Sequence, residues 1–384
     1  MRDFRYATTT RDVIFAPGAL DHIGELAEHA GWRRLYLCTT RSQRANGHVA
    51  RVEALLSDRL AGMYDSAAPH VPDAQVAEVV VAADSLAVDA LIGLGGGSAL
   101  GLAKAASWRM EVLHPPASTQ ISPPAASARV PVVAIPTTYA GSEMTPVFGV
   151  TRDNGERSVK TTVSDPRIAP RLVIYDPLLT LDLPAYLTAT TGMNALAHCV
   201  EALYSITRNP LSTAAALEAI HVITRVLPRC HADGSDVAAR SDMLAGAHLA
   251  GVALAGVAMG LHHGVCHVLG GTAGVPHGLA NSIMLPYTMR FNLNATAPEL
   301  ARVAAAMGLD IAGQSPDAAA IAAADAVASL TRRMGLPQHL RDAGVREADL
   351  PALALLAMQS RAVQANPLPV TDPAQIESLL RSAW

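Results

Sequence analysis

The chain has 384 residues, of which 50% are hydrophobic and 16% charged, a balance that excludes long disordered tails. With 29 basic against 33 acidic residues its formal charge is −4, which excludes a surface built around nucleic-acid phosphates. Aromatic residues make up 4%, too few for a base-stacking platform. Taken in chain order, Val13 to Phe15 gives a short strand signal and Ala19 to His29 has helical spacing. Arg34 to Thr39 reads as a buried strand, Val49 to Leu60 as a helix, and Met63 to Tyr64 as the start of another strand. Val76 to Leu86 is helical. Ala90 to Leu94 is a strand that runs into Gly95-Gly96-Gly97-Ser98 and a helix through Lys104, and Val130 to Ile135 is the next strand. Strands spaced by helices predict βαβ units and a mostly parallel sheet. His114 to Arg129, with four prolines, reads as a surface insertion.

From about Leu181 strand signals vanish and Ala-rich helices dominate: Thr191 to Ser205, Leu211 to Val226, Val237 to Leu261, Pro298 to Met307, Asp317 to Met334 and Ile376 to Ala383. The expected division is an α/β domain over 1–180, with its insertion at about 114–129, and a helical domain over 181–384. The site is expected in the cleft between them. Leu244 to Leu261 is apolar enough to raise a membrane span, but its Ala and Gly content reads as a buried helix. Cys38, Cys199, Cys230 and Cys266 form no C-x-x-C pair, and the N-terminus has no apolar signal core; both point to a reduced, cytoplasmic protein.

Several stretches carry chemistry. Gly95-Gly96-Gly97-Ser98 lies between strand and helix, where bare backbone and free N–H groups suit a phosphate; a tight turn with positive φ is the plainer alternative. Pro136-Thr137-Thr138-Tyr139-Ala140-Gly141-Ser142 also follows a strand and offers hydroxyls, or is an ordinary polar turn. Asn194 and His198 share a helix face at i, i+4, as do His263 and His267, with His277 ten residues beyond. These groups could converge on one centre or be hydrogen-bonded core histidines.

Together GGGS…K, PTTYAGSEMTP, KTTVSDPRIAPRLVIYDP, TGMNALAHCVEALY and HHGVCHVLGG…PHG resemble the iron-containing alcohol dehydrogenase superfamily, above all its maleylacetate reductase branch. The likeness runs from DFRY to LLRSAW, nearly the whole chain. It implies the dehydroquinate synthase-like fold: a Rossmann-like N-terminal α/β dinucleotide-binding domain plus an all-α C-terminal domain. It implies NADH or NADPH held by Gly95, Gly96, Gly97, Ser98, Thr137, Thr138, Ser142 and Lys160, with Thr39 ending the strand nearest the adenosine ribose. Thr39 and Thr40 carry no charge to repel a 2′-phosphate and Arg41 would attract one, so both cofactors stay open. His198, His263, His267, Tyr139 and His262 are the candidate catalytic residues, with the proton donor left open.

In metal-dependent members an Asp and three His bind Fe²⁺ or Zn²⁺. The matching positions are Asn194, His198, His263 and His277, and a neutral amide is a poor ligand, so neither metal is expected. Gly101, where metal-dependent members usually carry Asp, points the same way. The chain departs from the reductases at Gly264, where a Lys is expected after the paired histidines. Of all basic residues only Lys104 and Lys160 are lysines, and both fall in these motifs. The expected activity is hydride transfer to an enone or oxo acid, 2-maleylacetate to 3-oxoadipate in the reference case. The alternatives are a metal-dependent alcohol dehydrogenase, a lyase or cyclase on the same fold, and a non-catalytic cofactor-binding protein. A homodimer is expected, with no nucleic-acid or membrane partner.

Overall fold

A computed structural model describes residues 11–113, 128–153 and 158–384, and the side chains of all of these but 153 and 158–160. The Pro-rich stretch therefore lies, but for its last two residues, outside the described residues, as does DFRY. Six strands form one parallel sheet: β1 (Asp12–Phe15), β2 (Leu35–Cys38), β3 (Leu60–Tyr64), β4 (Ala90–Gly95), β5 (Val132–Pro136) and, beyond an antiparallel pair β6 (Val147–Asp153) and β7 (Ser158–Ser164), β8 (Leu172–Tyr175). The order is β1-β8-β5-β4-β2-β3. Helices α1 (Ile23–His29), α2 (Arg41–Ala45), α3 (His48–Leu56), α4 (Asp73–Ser85) and α5 (Gly97–Leu113) connect and cover it.

The central strands are apolar on both faces because both are covered. Leu91 and Tyr36 belong to a core with Val76, Val79 and Leu102, while Ile92, Leu35 and Leu37 belong to another with Leu20, Ile23 and Val49. Successive strand residues thus feed opposite layers. The strand order reverses between β2 and β4: β3 continues to one side of β2, and β4 and β5 to the other. Dinucleotides bind at the carboxyl ends of strands at such a point, and here those ends are Thr39 to Arg41 and Gly95 to Gly97.

The remaining helices are α6 (Ala185–Tyr204), α7 (Pro210–Ala232), α8 (Val237–Ala255), α9 (Leu261–Ala273), α10 (His277–Phe291), α11 (Leu293–Ala306), α12 (Pro316–Arg333), α13 (Leu350–Ala357), α14 (Arg361–Gln364) and α15 (Pro373–Ser382). By its contacts the chain forms two units. One gathers Tyr139–Gly141 with Leu183–Trp384; the other gathers the described residues of Thr8–Thr138 with Ser142–Asp182. The fold is an α/β part followed by an all-helical one.

Several expectations needed correction. The helix expected over Val49 to Leu60 ends at Leu56, and Leu60 already begins β3. The helix expected over Val237 to Leu261 stops at Ala255 and restarts at Leu261. Between them the backbone is held from outside: Ala258 N–H donates to Thr207 Oγ1 at 2.7 Å and Asn209 Nδ2 donates to the Gly256 carbonyl at 3.0 Å. The helix after Gly97 runs to Leu113, well past Lys104. The hairpin β6–β7 and the strand β8 were not expected; β8 is only four residues long and its pairing with β1 and β5 makes it a strand. Among the described residues no helix is long and apolar enough to cross a membrane.

Helix α10 starts hard against α6. A Cβ on Gly278 would lie 2.8 Å from the Thr190 carbonyl oxygen and 2.9 Å from its carbon, atoms that cannot move aside. Gly278→Ala is therefore expected to destabilise the fold by about 1–3 kcal/mol. Urea unfolding of the variant, monitored by circular dichroism, checks this; an unchanged midpoint would mean that α10 shifts freely on α6.

Candidate functional site

The α/β unit carries the glycine-rich turn. Gly95 has φ +137°, which favours glycine, and a Cβ on Gly96 would lie 3.1 Å from Thr138 Cγ2. Exposed Gly97 opens the 17-residue α5 with nothing within 4 Å of where its Cβ would be. Free N–H groups and a positive dipole end thus face open space, which fits a dinucleotide diphosphate. Beside them Thr137 N–H donates to the Gly95 carbonyl at 3.1 Å, and Gln43 Nε2 donates to Thr137 Oγ1 at 3.1 Å. Thr138, Ser98 and Ser142 are half-buried. A pocket of about 850 Å³ opens at the ends of β2 and β3, lined by Thr40, Arg41, Ser42, Tyr64, Asp65 and Glu78 among others.

One expected contact sits differently, and another falls outside the described side chains. Thr39 is fully buried and its hydroxyl donates to the Leu94 carbonyl at 2.8 Å, so its side chain braces β2 against β4. Lys160 pairs with Thr151 in the β6–β7 hairpin, and its side chain lies outside those described. Gly101 is packed so closely that a Cβ would meet Val71 Cγ2 at 2.9 Å, which leaves no room there for an Asp.

The helical unit gathers every histidine that sequence singled out. His263 is the hub: its ring stacks on His198 at 4.7 Å, meets His262 edge-on at 5.1 Å, and lies 6.2 Å from His267 and 6.1 Å from His277. His267 stacks on His277 at 5.4 Å. His198, His262 and His263 are buried, His277 is half-buried and His267 exposed, so the cluster grades from core to solvent. Three of its buried atoms have no hydrogen-bond partner: His198 Nδ1, His263 Nε2 and Asn194 Oδ1.

Glu201, one turn beyond His198 on α6, was missed by sequence reasoning. One of its oxygens accepts from the N–H groups of Gly260 at 2.9 Å and His262 at 3.1 Å, the other from His263 N–H at 3.3 Å and from His263 Nδ1. The carboxylate caps the start of α9 and leaves His263 Nε2 as the atom turned to the cluster. Its signal was present as the lone carboxylate inside the apolar helix that carries Asn194 and His198. His262 is spoken for at both nitrogens, by Thr288 Oγ1 at 3.1 Å and Asn281 Oδ1 at 2.8 Å. Tyr139 is fully buried, and its hydroxyl accepts from Arg240 at 3.0 Å.

Of the positions that match a metal-binding member's ligands, Asn194 offers an amide and His198, His263 and His277 offer imidazoles. Asn194 is neutral and spends its Nδ2 on the Ala140 carbonyl at 3.3 Å. Among the described residues no three His, Cys, Asp or Glu side chains are placed to hold a metal ion.

Comparison with known proteins agrees with this architecture. The family model described as "Iron-containing alcohol dehydrogenase" matches residues 10–177, and that described as "Fe-containing alcohol dehydrogenase family, C-terminal" matches 188–384. A maleylacetate reductase of Delftia acidovorans is 36% identical over 382 residues, spanning 100% of this chain and 98% of its own. This chain belongs to the iron-containing alcohol dehydrogenase family, in its maleylacetate reductase branch. The crystal structure of maleylacetate reductase from Agrobacterium tumefaciens is 33% identical with a TM-score of 0.84, covering 100% of this chain and 99% of that one. A 1,3-propanediol oxidoreductase structure is 33% identical with a TM-score of 0.91 and covers both chains fully. The protein is thus an oxidoreductase of a family that uses nicotinamide cofactors.

Burial fixes the charge state of the cluster. It pushes His262 down to about 4 and His263 down to about 3, with His198 also well below its ordinary value, and neighbouring imidazoles add to the effect. Burial also pushes the Glu201 carboxyl up, against the three backbone N–H groups that favour its charge. Between pH 6.5 and 4 the unfolded chain therefore takes up protons on His262 that the folded protein does not. Stability should fall as pH drops through that window, by on the order of 1 kcal/mol per pH unit for each such histidine. Urea midpoints measured from pH 7 to 4.5 check this, with His262→Gln expected to flatten the slope. An identical slope in the variant would show that His262 is protonated inside the fold.

Proposed function

We propose that the protein is an NAD(P)H-dependent, maleylacetate reductase-like enzyme that reduces an electron-poor C=C conjugated to a carbonyl and needs no resident metal. The reference reaction is 2-maleylacetate to 3-oxoadipate. The observation that carries this reading is the buried imidazole cluster centred on His263, with a neutral amide at Asn194 where a metal-binding member has its carboxylate. Gly264 does not remove the reading, because it bears on how the substrate is held and not on the hydride step.

A dihydronicotinamide bound at the α/β unit supplies the hydride. The turn of Gly95 to Ser98 would hold its diphosphate at the start of α5, and the hydroxyls of Thr137, Thr138 and Ser142 would be further contacts, with Lys160 as the family resemblance implies. Hydride enters the substrate at the carbon β to the carbonyl, and the π electrons move to the carbonyl oxygen as an enolate. His198, whose buried Nδ1 has no partner, faces that charge beside His263. The α carbon then takes a proton relayed through His263 Nε2, which is a bare acceptor at rest because the one proton of the neutral ring sits on Nδ1 and is donated to Glu201. His267 and His277, which lie between His263 and solvent, supply that proton to Nε2. Tyr139 and His262 keep structural roles, since Tyr139 is fully buried against Arg240 and Thr288 and Asn281 occupy both nitrogens of His262.

A second reading, a metal-dependent oxidoreductase of small alcohols, draws on the 1,3-propanediol oxidoreductase likeness. One assay separates them: NADH and NADPH oxidation with 2-maleylacetate, using chelator-treated protein of measured metal content. We expect rapid turnover without metal, and a loss of kcat on the order of 100-fold in His263→Ala. Turnover that appears only with added Fe²⁺ or Zn²⁺, on alcohols or aldehydes, would replace the first reading by the second.

A further inference from the structure

Lys104 is one of only two lysines in the chain, and its side chain is fully buried. Its Nζ lies 2.9 Å from both the carbonyl and the Oγ of Ser142, 3.3 Å from the Thr145 carbonyl and 3.5 Å from Thr145 Oγ1, and it also donates to the Val147 carbonyl. None of these five acceptors is a carboxylate. Glu143 stands nearby in the same buried region, hydrogen-bonded through Oε1 to Tyr175 at 2.9 Å, and Arg11 donates to the Glu143 carbonyl at 3.3 Å. A solvated helix face would give a lysine none of this. Burial pushes the ammonium down to about 7, while Glu143 and the ring of oxygens favour its charge.

The cage has a chemical consequence at Ser142. A hydroxyl has one proton to give and two lone pairs to accept with. The ammonium can only donate, so it occupies a lone pair of Ser142 Oγ and leaves the hydroxyl proton for another acceptor. Ser142 is half-buried, so that acceptor can come from solvent or from a ligand. Lys104 also stands two turns into α5, the helix whose first residues form the glycine-rich turn. One side chain therefore ties the segment Ser142 to Val147 to the helix that presents the diphosphate site.

We propose that Lys104 is the positioning residue of the dinucleotide site: it fixes the Ser142–Val147 segment on α5 and commits the Ser142 hydroxyl as a donor to an acceptor oxygen of the bound cofactor. This rests on the reading of the α/β unit as the NAD(P)H site. The acceptor is of one chemical class, an oxygen without a proton to give, as on a diphosphate or a carboxamide.

The test is a double-mutant cycle of Lys104→Met and Ser142→Ala on the full-length protein. NADH and NADPH dissociation constants are read by quenching of tryptophan fluorescence, KM and kcat by cofactor oxidation, and folding by thermal melts. Each single variant should weaken cofactor binding about tenfold. The double variant should be scarcely worse than Lys104→Met, because the two act through one contact, and KM for the cofactor should rise more than kcat falls. Wild-type affinity in a folded Lys104→Met protein, or effects that multiply in the double variant, would overturn the proposal while leaving the NAD(P)H reading standing. Should Lys104→Met fail to fold, Ser142→Ala decides alone: unchanged affinity overturns the proposal. Absence of NADH and NADPH binding by the wild-type protein overturns the reading on which it rests.

Discussion

Two buried cations hold the chain between Pro136 and Val147, and the chemistry of both units depends on that stretch. Lys104 fastens the segment from Ser142 onward to the helix of the glycine-rich turn. Arg240, also fully buried, donates to Tyr139 at 3.0 Å, Thr188 Oγ1 at 2.8 Å and the carbonyls of Gly234 and Leu183. Neither cation is neutralised by a carboxylate among these partners. A buried charge so treated is costly unless fixed dipoles replace its water, and each cation has carbonyls and hydroxyls enough to do so. The loop is held by groups that cannot give way without exposing a charge to an apolar interior. Hydroxyl donors that must meet a cofactor within a few tenths of an ångström need that kind of support.

The helical unit solves a different electrostatic problem. Five imidazoles sit within ring contact of one another, and no carboxylate stands among them; the nearest, Glu201, is set behind His263 and partly consumed by the start of α9. Burial keeps His262 and His263 neutral, so the cluster offers both donors and acceptors and little net charge. Such a site suits a substrate whose charge grows only during reaction. An Asp at position 194 would place a fixed negative charge beside the rings, and would also turn the donor that holds the Ala140 carbonyl into an acceptor facing an acceptor. Asn194 is thus a tether for the Ala140 carbonyl.

Much of this was legible in residues alone. Apolar runs such as Ala90 to Leu94, each followed by a helical period, could only be central parallel strands, and the glycine-rich turn could only follow one of them. The i, i+4 spacings placed His198 with Asn194 and His263 with His267 before any coordinates. What sequence could not supply were partners distant along the chain. His262 and His263 look alike in sequence, yet one is bound at both nitrogens by α10 and the other is the hub. Thr39 reads as a ribose contact until Leu94 claims its hydroxyl. The break at Gly256 to Gly260 hides in a run of small residues because its backbone is held by Thr207 and Asn209, some fifty residues earlier.

Packing leaves little space for a side chain at Gly264. A Cβ there would lie 2.6 Å from Val363 Cγ2 and 3.1 Å from both Ser360 Oγ and the Val363 nitrogen, so α14 occupies the space that a side chain would need. A lysine at this position would therefore require α14 to shift away from α9. Residues 183–384 contain no lysine at all, and their cations are arginines. An anionic substrate must then be held by a guanidinium or by neutral donors. A guanidinium grips a carboxylate in two places where an ammonium offers a point charge, so it selects for orientation more than for charge. If the substrate has lost that carboxylate, Gly264 and Val363 together leave an apolar wall in its place.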